Sequence, residues 1–251
     1  RADQEPYRKY RFGAIHYIRL VLTVLLTVLC LLTVGGAVLL LLLWQQSRGS
    51  GVLTSQLDRT WDLIGVLTDV ERYVAFAAVP VAMIWIVFAA INAGRATGNR
   101  RNPIVASLSL PVGLIAVWLV GREVIADTDD NITQAAGWIL QIALLAIPLL
   151  FLERVASAAD ARHRPLRATY LIGAGYLAQL QFLGGLSTID RATANAEWGK
   201  LGAYLLIGGL IQVIGTLSAN EACRSIEDGT DHRYELRSRF GESVLAQAAT
   251  A

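Results

Sequence analysis

Residues 20–44 read LVLTVLLTVLCLLTVGGAVLLLLLW. Twenty-five residues without one charged side chain exceed the roughly 20 that a helix needs to cross about 30 Å of hydrocarbon. Five more runs of this kind follow, at Tyr73–Ala93, Ile104–Gly121, Ala135–Leu152, Thr169–Ser187 and Gly199–Ala219. None shows two-residue alternation, and an open sheet would leave its backbone polar groups unpaired in lipid, so all six read as transmembrane helices. With 54% hydrophobic and 17% charged residues, the loops are too short for a second globular domain. The expectation is an all-α polytopic membrane domain over residues 1–240, its six spans arranged as three hairpins. Residues 241–251 read as a disordered tail of small residues.

Basic residues alternate across these spans. Sixteen of the 22 Lys and Arg fall before run one, between runs two and three, after run four and after run six, for example Arg8, Arg100, Arg164 and Arg233. Only six (Arg48, Arg59, Arg72, Arg122, Arg191 and Lys200) fall on the other side. Because positive residues favour the cytoplasm, both termini are expected inside, in a bacterial inner membrane. Tyr7, Tyr10, Phe12 and Tyr17 among the N-terminal basic residues suit an interfacial anchor on anionic lipids, so no nucleic-acid partner is expected. The first run is too long, and too well followed by others, to be a cleaved signal peptide. The chain opens on Arg1 rather than Met, so a longer N-terminus is an expectation.

The first outer loop runs from about Gln45 to Arg72. Gly49, Ser50 and Gly51 start it, Ser55 with Asp58 resembles a capping pair, and Leu57, Trp61, Ile64 and Leu67 recur at helical spacing. An amphipathic helix over about 55–72 is predicted on the outer surface or against a partner. Its polar face is acidic, where a lipid-surface helix would carry Lys or Arg, so Leu57, Trp61, Ile64 and Leu67 are read as facing a protein.

Asp127, Asp129, Asp130 and Asn131 imitate a calcium loop, but counting from Asp127 the sixth and twelfth places hold Ile132 and Trp138 instead of Gly and Glu. Asp130 or Asn131 is read instead as an N-cap. Cys30 and Cys223 have no metal or disulfide spacing, and His16, His163 and His232 sit in separate segments. No phosphate-binding glycine loop is present. No catalytic set, cofactor site or metal site can be assembled, and the chain is not expected to be an enzyme.

Ionisable residues inside spans are costly and mark ion pathways, and here Arg122, Glu123 and Glu153 stand only at span ends. A proton or sodium relay is therefore not expected. The deeper polar groups are neutral. Gln141, Gln179 and Gln212 read either as interhelical glue or as a narrow polar path. Pro80, Pro111 and Pro148 interrupt spans, as transporters and ordinary helix packs both allow. Ala174 and Ala178, like Ala89 and Ala93, have the small-xxx-small spacing that permits close helix contact.

The stretch from Trp85 to Glu123 carries Asn92 and Arg95 after a span, then Arg100, Arg101 and Pro103, with Pro111 in and Glu123 after the next span. It resembles a family of actinobacterial multi-pass membrane proteins known only as a domain of unknown function. The resemblance covers under a fifth of the chain, implies an actinobacterial origin and supplies no reaction. Two functions remain open from the residues. The first is a non-catalytic accessory or scaffold subunit of a larger inner-membrane assembly, with larger membrane subunits and lipids as partners and a lipid-transport machine as the expected kind. The second is a small transporter or channel for an uncharged or lipidic solute.

Overall fold

A computed structural model describes residues 6–48, 54–97, 102–125, 131–182 and 195–240. Among them the chain is all helical: α1 Pro6–Arg48, α2 Thr54–Thr97, α3 Pro103–Val120, α4 Asn131–Ala159, α5 His163–Phe182 and α6 Asn195–Phe240. A π-helical turn, Gly121–Ile125, extends α3. Five of these helices (all but α5) are long and apolar enough to cross a membrane. The fifth expected span runs on into residues 183–187, outside the described residues, as does the tail 241–251.

Local signals explain where helices begin and end. Asn102 caps α3 by accepting hydrogen bonds from the amides of Ile104 at 3.1 Å and Val105 at 3.4 Å, and Pro103 follows with its φ already suited to a first turn. After α4 the chain turns through Asp160, whose φ of 59° is left-handed, and the Ala161 amide returns to the Ala156 carbonyl at 2.9 Å. The three span prolines leave α2, α3 and α4 unbroken. Pro148 packs on Gly113, where a Cβ would stand 2.9 Å from the proline ring.

One expectation is revised. The segment 55–72 is no separate surface helix but the first half of α2, which has 44 residues. At about 1.5 Å per residue it is about 66 Å long, twice the hydrocarbon thickness. Its Leu57, Trp61, Ile64 and Leu67 are half-buried while Leu63, Val66 and Val70 are exposed, so one packed face runs through the expected loop.

The described residues form two compact units, one made of those within 1–22, 79–170 and 217–240, the other of those within 23–78 and 171–216. In the first unit the core is rich in alanine: Ala89, Ala90, Ala93, Ala156 and Ala159 surround Trp85, Val155 and Ile226. Such small side chains let helix axes approach closely. In the second unit the glycines of α6 do this for α1, because Cβ atoms at Gly202 and Gly209 would come within 2.8 Å of Leu41 and 2.6 Å of Val34.

Candidate functional site

The three glutamines are held by neighbouring helices. Gln141, 4% exposed and in the first unit, donates from Nε2 to the Val117 carbonyl at 2.9 Å. In the second unit Gln179 donates to the Tyr204 carbonyl, and Gln212 donates to the Tyr176 hydroxyl at 2.6 Å. The structure brings Gln179 and Gln212 to one α5–α6 contact and places Gln141 in a different unit. The amide oxygens of Gln179 and Gln212 are buried without a hydrogen-bond donor. Ala174 is buried and Ala178 half-buried, while the tightest α5–α6 approaches are made by Gly208, 3.1 Å in Cβ terms from Gln179, and Gly215, 3.2 Å from Ile172.

The face of α2 that the sequence offers to a partner is turned toward its own chain. The Trp61 ring lies 6.2 Å from that of Trp198 on α6, and Leu67 reaches the space beside Gly35 on α1. Leu57, Ile64 and Glu71 are spaced seven apart on this same face. The Thr33 hydroxyl on α1 donates to Oε1 of Glu71 at 2.7 Å, and the Thr60 hydroxyl donates to Gln46 at 3.3 Å. These two bonds set α2 residues 60–71 antiparallel to α1 residues 46–33. Thr33 is 4% exposed and near the middle of the uncharged run 20–44, so a carboxylate stands where the sequence suggests only neutral groups.

Around this contact is a cavity of about 360 Å³, lined among others by Thr33, Gly36 and Leu40 of α1, Trp61, Gly65, Asp69 and Glu71 of α2, and Tyr176. It is walled by apolar and aromatic side chains and carries its polar groups at one end, as small-molecule sites do. Glu71 was detectable in principle. Its place in the 57–64–71 stripe puts it on the packed face, although at the end of the expected loop it counts as one more exposed charge.

The first unit has a second polar centre. Arg19 donates from Nε to Glu227 Oε2 at 3.0 Å and from Nη1 to Asn220 at 2.8 Å, and Trp85 Nε1 donates to Glu227 Oε1 at 3.0 Å. Beside them a cavity of about 520 Å³ is lined by His16, Arg19, Asn92, Arg224, Glu227 and Asp231. Asn92 is 2% exposed and its amide nitrogen has no partner. No described group of three or more His, Cys, Asp or Glu is arranged to hold a metal ion. No family of known proteins, no curated protein and no solved structure matches the chain.

Proposed function

We propose that this chain is a non-catalytic subunit of a larger bacterial inner-membrane assembly, with both termini in the cytoplasm, and that the outward stripe of α2 is where a neighbouring membrane protein packs. The observation that carries this reading is the composition and level of that stripe. Asp62, Val66, Asp69, Tyr73 and Phe76 follow one another at spacings of four, three, four and three, the seam of a helix that meets another helix. All five are exposed, Val66 at 58% and Tyr73 at 73%. Asp62 and Asp69 also lie alongside the uncharged run of α1, since Thr60 and Glu71 bracket them. Carboxylates facing lipid at that level are costly, and among the described residues Arg72 pairs with Asp69, at 3.8 Å, and not with Asp62. A second protein carrying basic or hydrogen-bonding groups relieves that cost.

Photo-crosslinking tests it. A crosslinker at Val66 in native membranes should capture a protein of defined mass, whereas one at Leu210, exposed on α6, should capture lipid. Equal capture at both positions, with the purified protein sedimenting as a monomer in mild detergent, removes the reading.

The second reading, a small transporter or channel for an uncharged or lipidic solute, is favoured by the buried amide oxygens of Gln179 and Gln212, which lack donors that a hydroxyl-bearing solute would supply. It requires solute flux in reconstituted vesicles that Gln212→Leu abolishes. Undiminished flux in that variant removes it.

A further inference from the structure

Glu71 has one described partner, the Thr33 hydroxyl at 2.7 Å. That bond is donated to the carboxylate. Among the described residues no Arg, Lys or His pairs with Glu71, and its neighbour Arg72 is turned to Asp69. An ionised carboxylate beside a low-dielectric wall attracts a cation.

The rest of the cavity has the opposite character and an unusual vacancy. Leu40, Trp61 and Leu205 form its walls. Gly36 on α1 and Gly65 on α2 both line it, and a Cβ added to either would meet nothing within 4 Å. Most other described glycines differ: at Gly199, Gly202 and Gly209 a Cβ would run into a neighbouring side chain at 2.8 Å or less. Two glycines therefore leave open a strip running from Glu71 toward Trp61, ten residues or about 15 Å along the helix. Trp61 and Tyr176 also line it and supply aromatic surface for an apolar chain.

We propose that this cavity is a binding site for a monocationic amphiphile, whose ammonium group pairs with Glu71 while its apolar chain lies along Gly36 and Gly65 toward Leu40 and Trp61. Charge complementarity selects the head, and the apolar walls select the tail. The site goes beyond the partner contact proposed above and borders it, since Asp69 lines the cavity as well as belonging to that stripe. Glu71 lies off the stripe, so Glu71→Gln should weaken amphiphile binding while capture at Val66 is unchanged.

The test uses the whole chain in phosphatidylcholine nanodiscs with radiolabelled dodecyltrimethylammonium, subtracting empty discs. Wild type should bind saturably and melt at a higher temperature with the probe present. Dodecyl sulfate should not compete. Glu71→Gln should weaken binding at least tenfold. Gly65→Leu should abolish it by filling the strip, while the melting temperature without probe stays at or above that of wild type. Binding no greater than in empty discs, equal competition by dodecyl sulfate, or wild-type affinity in Gly65→Leu would each overturn the proposal. Because Gly65 faces open space, that variant remains informative even if Glu71→Gln fails to fold.

Discussion

Arg19 and Glu227 stand 208 residues apart and meet with Nε 3.0 Å from Oε2, their side chains only 13% and 9% exposed. Trp85 and Asn220 complete the arrangement from two sides. A pair this sheltered has given up most of its hydration, so removing one member strands the other charge. Glu227→Ala should cost about 3–5 kcal/mol and lower the melting temperature in detergent sharply. The double variant Arg19→Met with Glu227→Leu should melt above Glu227→Ala, because no charge is then left buried without a partner. If the double variant were the least stable of the three, the pair would be a net stabiliser and this account of it would fail.

Thr33→Val keeps side-chain shape and deletes the hydroxyl that serves Glu71. Hydrogen bonds to charged groups contribute about 1.5–3 kcal/mol, so a loss in that range is expected in thermal or denaturant melts. Glu71→Gln can still accept from Thr33 and should cost less than Thr33→Val.

Glycines on the same scaffold should respond oppositely to one methyl group. A Cβ at Gly229 on α6 would come 2.5 Å from the Ala159 carbonyl oxygen, a backbone atom unable to move aside, so Gly229→Ala should be strongly destabilising. Gly65→Ala meets open space in a helix interior and should be neutral or gain about 0.5–1 kcal/mol. Melting the two variants beside wild type decides this directly.

Gln141→Leu removes a buried donor to the Val117 carbonyl. Interhelical hydrogen bonds of this type contribute about 0.6–1.7 kcal/mol, so a modest loss of melting temperature is expected, with crosslinking at Val66 unaffected. If the variant also lost that capture, Gln141 would bear on the partner contact and not only on α3–α4 packing.

Much of the architecture was legible because hydrophobic length is a local property. The uncharged run 20–44 and the small residues at 89 and 93 each announce their local role without knowledge of any neighbour. The boundaries of α2 were not legible. Asp58, Asp62, Asp69 and Arg72 make the helix expected over 55–72 look like a surface element separate from the span that begins at Tyr73, and only the packing of its Leu57, Ile64 and Glu71 face shows that the two are one helix. The two candidate cavities were hidden for a related reason. Thr33 and Glu71 lie 38 residues apart, and no spacing rule joins residues on different helices.

The sequence by itself determined that this is a helical protein with several segments long and apolar enough to cross a membrane, since hydrocarbon demands about 20 apolar residues with every backbone hydrogen bond made internally. Tertiary structure alone decided which polar groups are spent and which are left over. The glutamine side-chain nitrogens go to adjacent helices, and Arg19 and Glu227 neutralise each other. Among the described residues Glu71 is left with a threonine hydroxyl, beside open space at two glycines. That division depends on how helices align side by side, and depth and facing are properties of pairs of helices that no single stretch of residues contains.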